Sequence, residues 1–169
     1  MNRIHRIVLA SIMLGLGSGT PLWAADATTT FNVLITITAA CDISTSAPTS
    51  VNFGAQPSTA SNVDNEGALN VICTPSAAYT IALDDGQNST GGAAGRRMSD
   101  GSGFVPYQLY RDAGRTAADV WGSTGGSGGN VYSGTGNGTV QSLPVYGRVP
   151  STNFPAGSYS DVITATITY

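Results

Sequence analysis

Period-two alternation of apolar side chains recurs in segments from Phe31 to the end of this chain, a pattern that admits strands, and no stretch keeps a helical apolar period over three turns. Phe31, Val33, Ile35 and Ile37 share one face of a segment from Thr29 to Thr38, with Asn32, Thr36 and Thr38 opposite and Leu34 the exception. Ile43, Val51 and Phe53 form one irregular strand in two pieces, broken at Ala47-Pro48, where the proline marks a sheet edge or a switch between sheets. Leu69, Val71 and Cys73 follow, then Tyr79, Ile81 and Leu83, joined by the turn Thr74-Pro75-Ser76 and closed by Asp84-Asp85-Gly86. Val105, Tyr107 and Leu109 make another strand. A glycine-rich loop from Gly122 to Gly138 leads to Leu143, Val145 and Val149. The last strand carries Tyr159, Ile163, Ala165, Ile167 and Tyr169 on one face, with Val162, Thr164, Thr166 and Thr168 on the other, and runs to the final residue.

These segments predict an all-β fold, an incomplete immunoglobulin-like β-sandwich lacking its final strand. Six strand segments follow Thr38, one short of the seven that a simple immunoglobulin-type sandwich needs. A sandwich missing a strand leaves an apolar groove and unpaired backbone groups along its edge, and both are costly in water. The spare alternating segment at the other end of the chain has the right length and pattern to fill such a groove in a neighbouring molecule by β-augmentation. Head-to-tail repetition of that contact builds an open fibre.

The first residues set the compartment. Arg3 and Arg6 precede the apolar run Ile7 to Leu16, and small residues follow at Ala24, Ala25 and Ala27, the layout of a secretory signal peptide. The apolar run is about ten residues, against roughly 20 for a membrane-spanning helix, so no membrane insertion is expected. The expected organisation is a signal peptide over residues 1–24, with cleavage possible up to 27, a donor-strand extension over 25–38 and a sandwich domain over 39–169. The roughly 145 exported residues suffice for one domain. A net charge of -3, with seven basic residues that are all arginine, gives no basic surface for nucleic acid. Only Cys41 and Cys73 are present, and in an oxidising compartment the pair reads as a disulfide that closes a loop of 32 residues.

Catalytic chemistry finds little footing. The one histidine, His5, lies in the segment to be removed, which takes with it any histidine-based triad or general base. Asp84 and Asp85 read as turn residues, and the spacing of a calcium loop is absent. No zinc site can be completed from two cysteines. No cofactor or metal is expected, and no enzyme. Trp121 and Tyr132 flank the glycine-rich loop and could hold a sugar, although strand-end aromatics more often pack. Arg96-Arg97 reads as part of a solvated loop.

The chain resembles the spore coat protein U domain family. The resemblance rests on an ordered series of motifs: Thr29-Thr30-Phe31-Asn32-Val33, Cys41, Val51-Asn52-Phe53-Gly54, Val71-Ile72-Cys73-Thr74-Pro75, Leu83-Asp84-Asp85-Gly86-Gln87-Asn88, Arg96-Arg97-Met98, Tyr107-Gln108-Leu109-Tyr110, Val120-Trp121-Gly122, Val145-Tyr146-Gly147-Arg148-Val149-Pro150 and Pro155-Ala156-Gly157-Ser158-Tyr159-Ser160-Asp161. Many members of that family are pilin subunits of the archaic chaperone-usher pathway. The resemblance implies export through the periplasm to the cell surface, where the subunits form adhesive, biofilm-supporting fibres. It implies as partners identical or homologous pilin subunits, a periplasmic chaperone and an outer-membrane usher. It assigns the donor strand to Phe31, Val33, Ile35 and Ile37, and the acceptor groove and chaperone contact to Tyr159, Ile163, Ala165, Ile167 and Tyr169. The family name leaves open a monomeric secreted coat or matrix protein whose own N-terminal segment completes its sandwich. The few residues between Thr38 and the first strand make that return difficult.

Overall fold

The computed structural model of the protein describes residues 24–126 and 129–169. The expected signal peptide lies almost wholly outside the described residues. The chain divides into two units, Met1–Thr36 and Ile37–Tyr169. In the first, residues 24–36 form no strand, and Phe31, Val33, Leu34 and Ile35 are all more than four-fifths exposed. The alternation of Thr29 to Thr38 is therefore a strand pattern without a strand: a lone extended segment has no ladder partner for its backbone and no apolar face to cover its side chains.

Among the described residues, the second unit is built from β-strands, with only short 3-10 turns at Ala93–Gly95 and Ala117–Asp119. The strands are β1 (Cys41–Asp42), β2 (Ser61–Cys73), β3 (Ala78–Leu83), β4 (Arg97–Ser99), β5 (Phe104–Pro106), β6 (Gln108–Tyr110), β7 (Tyr132–Thr135), β8 (Val140–Ser151) and β9 (Ala165–Thr168). They form a four-stranded sheet ordered β1-β2-β8-β6, a three-stranded sheet ordered β7-β3-β9 and the hairpin β4-β5, with every pairing antiparallel. The larger sheets share one core, in which Val71, Leu143, Val145 and Val149 meet Tyr79, Ile81 and Leu83. Burying these side chains is the main favourable term, at about 1.5–3 kcal/mol for each large one.

β2 begins eight residues before Leu69, the first apolar residue in the sequence pattern. Its first half, Ser61 to Ala68, has only Val63 and Gly67 turned inward, so the apolar signal is weak although β2 keeps one register with β8 from Ser61 to Ile72, interrupted only at Asn62. Gly67 is required there: a Cβ would lie 2.3 Å from the Thr49 carbonyl oxygen. Val105 to Leu109, read as one strand, is two. β5 pairs with β4 and β6 with β8, the chain changing partners at Tyr107.

The segment from Gly122 to Gly138 is not wholly loop. Tyr132–Thr135 is β7, paired with β3, and Gly134 is the residue that lets the Tyr79 ring lie against it. Trp121 is fully buried, its indole Nε1 donating to the Ile81 carbonyl at 2.8 Å, with the Tyr132 ring 5.6 Å away. The aromatic pair is core packing, which removes the sugar-binding reading.

Cys41 and Cys73 stand opposite each other in the β1–β2 register and are disulfide-bonded. Replacing both with serine is expected to lower stability by about 3.5 kcal/mol, the chain-entropy value for a separation of 32 residues. Urea unfolding of the two chains checks this, with equal midpoints as the contrary result.

Candidate functional site: an open strand slot

The last segment of the chain has one satisfied flank. Ser160 exchanges backbone bonds with Ser99 at 2.9 and 3.0 Å, the Thr164 carbonyl accepts from the Asp84 amide, and β9 continues along β3. Regular strand is confined to Ala165–Thr168, shorter than the expected Tyr159 to Tyr169. Between Asp161 and Thr164, side chains replace the ladder. The Asp84 carboxylate accepts from the Thr164 amide at 2.9 Å. The Asp161 carboxylate accepts from the Gln87 amide at 3.0 Å, the Asn88 side-chain amide at 3.1 Å and the Tyr107 hydroxyl at 2.7 Å. Asp84 also closes its own turn by accepting from the Gly86 amide. The amide and carbonyl of Ile163 have no hydrogen-bond partner among the described residues.

Beside this edge runs a groove of about 1090 Å³. One wall is the Pro48 to Gln56 stretch, the other Phe154 to Ala165, and the floor includes Leu83, Val105, Leu109, Val145 and Val149. The first wall is held to the β2 edge by a two-way backbone exchange between Thr49 and Ala68, and by side-chain amides of Asn70 and Asn65 donating to the carbonyls of Ala47 and Asn52. Gly147 makes room beneath it, since a Cβ there would lie 2.5 Å from Val51. The groove is thus a gap between two chain segments over an apolar floor.

Three of the five residues expected in an acceptor groove, Tyr159, Ile163 and Ala165, line it. Ile167 lies beyond the lining, packed against the core opposite Ile81, and Tyr169 is 59% exposed and outside it. The sequence-based set lacks the facing wall, Val51 and Phe53, and the floor residues Leu83, Val105, Leu109, Val145 and Val149. The break at Pro48 was the available signal for the wall. Phe31, Val33, Ile35 and Ile37 are exposed, at 83%, 86%, 86% and 76%.

Arg96, expected in a solvated loop, is 1% exposed. Its guanidinium donates to the carbonyls of Trp121 at 2.6 Å, Leu83 at 3.2 Å and Asp84, tying the end of β3 to the Trp121 turn. Burial pulls its pKa below the ordinary value, opposed by Tyr107 and nearby acids. Arg97 instead lies over the Phe104 ring at 3.7 Å. Burial, then the Asp161 carboxylate, push the Tyr107 hydroxyl above its ordinary value and keep it a donor. Among the described residues there is no cluster of metal-ligating side chains and no helix long and apolar enough to cross a membrane.

The comparisons fit this geometry. Protein U of Myxococcus xanthus is 34% identical over 184 residues, covering all of both chains. The crystal structure of the chaperone–tip adhesion subunit pre-assembly complex CsuC–CsuE, from the archaic chaperone-usher Csu pili of Acinetobacter baumannii, shares the fold with a TM-score of 0.54 at 22% identity. That match covers 79% of this chain and 40% of the chain matched. The Spore Coat Protein U domain model matches residues 27–166. The chain therefore belongs to the Spore Coat Protein U domain family.

Proposed function

We propose that the chain is a subunit of a surface fibre, exported through the periplasm and polymerised by donor-strand exchange. Phe31, Val33, Ile35 and Ile37 of one molecule enter the slot beside Ile163 of the next. The observation that carries this reading is the pairing of two incomplete structures: an open apolar slot with an unpaired rim, and an exposed apolar ladder with no sheet. The occupant supplies both what the rim lacks, a backbone ladder, and what the floor lacks, apolar cover. A chaperone that fills the slot before assembly and an usher that exchanges it follow from the same need, and the likeness to a chaperone–subunit complex supports them. Adhesion and biofilm support are the roles such a fibre would serve.

Deleting Ala25 to Thr38 is the direct test. The shortened chain is expected to accept a donor strand but pass none on, so it should cap fibres of the parent chain and form none alone. Efficient fibre growth by the deletion would sink the reading. The family's name suggests a second reading, a coat protein whose own N-terminal segment completes its sandwich. It predicts a concentration-independent monomer with a protease-resistant N-terminus.

A further inference from the structure

Resting on the donor-strand reading, we propose that the Tyr107–Asp161 pair is a register stop that decides which levels of the slot receive the apolar ladder. Register needs such a device. Val33, Ile35 and Ile37 are nearly equivalent under a two-residue slip, which keeps the same face buried, so an apolar slot alone discriminates weakly between neighbouring registers.

Among the described residues, Asp161 is the only charged one in the groove lining. Its carboxylate is fixed. Tyr107 reaches it from the β5–β6 junction, Gln87 and Asn88 hold it from behind, and Gly86 leaves the space it occupies, since a Cβ there would lie 2.1 Å from the Asp161 oxygen. Apolar lining lies to both sides, Phe154 and Tyr159 before it, Ile163 and Ala165 after it. A donor strand sends a side chain into the slot about every 6.6 Å. A ladder laid across the Asp161 level would press a valine or isoleucine methyl against a carboxylate stripped of water, which costs free energy with nothing in return. The ladder is flanked on the same face by Thr29 and Ala39. Threonine can donate a hydroxyl to the carboxylate, and alanine is short enough to pass it. Whichever way the donor runs, the register with a flanking residue at the stop keeps all four apolar side chains off the Asp161 level.

The test uses the full chain. Thr29→Leu and Ala39→Leu each add a fifth apolar rung, and both positions are exposed in the subunit, so folding is untouched. Whichever rung meets the stop is expected to slow assembly about tenfold, the effect of roughly 1.4 kcal/mol, while the other leaves the rate unchanged. A photo-crosslinking analogue at Phe31 then reads register directly. Fibres of the parent chain should cross-link at one groove level, and Tyr107→Phe combined with Asp161→Ala should spread the cross-links to a level two residues away. A merely structural role for the pair would lower fibre yield without moving the map. Equal assembly rates for both leucine variants, or one unchanged map in the double variant, would overturn the stop while leaving the donor reading intact. Cross-links absent from the groove in the parent chain would overturn both.

Discussion

The full chain carrying Ile35→Asp is expected to fold as the parent does and to form no fibres. Ile35 is 86% exposed in the subunit, so an aspartate there meets water and costs the fold nothing. In the slot it would meet Leu83, Val145, Ile163 and their neighbours. Burying a carboxylate without a partner costs several kcal/mol, enough to weaken each subunit contact by about a thousandfold or more. Among the described residues no cation lines the slot, and Arg96 spends its donors on three carbonyls. The variant keeps an intact slot, so a small proportion mixed into the parent chain should enter fibres at one end only and shorten them. Electron microscopy with size-exclusion chromatography reads both results. Fibres of ordinary length from the variant alone would mean that this segment is not the donor.

The second large effect is on the subunit. Arg96→Met should lower stability by about 4 kcal/mol, because the volume is roughly kept while the carbonyls of Leu83, Asp84 and Trp121 lose a charged donor, each such bond contributing about 1.5–3 kcal/mol before relaxation. Arg96→Lys should recover about half, since an ammonium cannot match the planar fork that serves three carbonyls. The loss should reach the slot, because Leu83 lines it and Asp84 holds Thr164 beside it. Chemical unfolding of the three chains measures the order. A methionine variant as stable as the parent would show that water or a neighbouring donor satisfies the three carbonyls.

The sandwich was legible in the sequence where one face of a strand is apolar and the other polar, as in Leu69 to Cys73 and Tyr79 to Leu83. It was illegible where backbone pairing continues under polar side chains, as in Ser61 to Ala68, or under glycine, as in Tyr132 to Thr135. Alternation marks which side chains are buried. It carries no information about where the ladder of amides and carbonyls runs. For the same reason Thr29 to Thr38, the cleanest alternation in the first third of the chain, forms no strand among the described residues. The groove divided likewise. Tyr159, Ile163 and Ala165 could be named because they alternate on one strand, whereas Val51, Leu109 and Val149 reach it from three separate segments that only the fold brings together. Arg96 was misread because a pair of arginines between turns looks solvated, and nothing local shows three carbonyls converging on one of them.

The disulfide also has a mechanical consequence. In a fibre pulled along its length, tension would enter each subunit through the peptide chain leading from Ile37 to Cys41. From Cys41 it has a covalent shortcut into Cys73, flanked by the hydrogen bonds between Ala40 and Thr74. The 32-residue loop between the cysteines is thereby shielded from the load, including the Pro48 to Gln56 wall of the slot and most of β2. An oxidised fibre could be stretched without prising open the wall that grips the neighbouring strand, whereas in a reduced one the pull would reach that wall by peeling away only the two residues of β1.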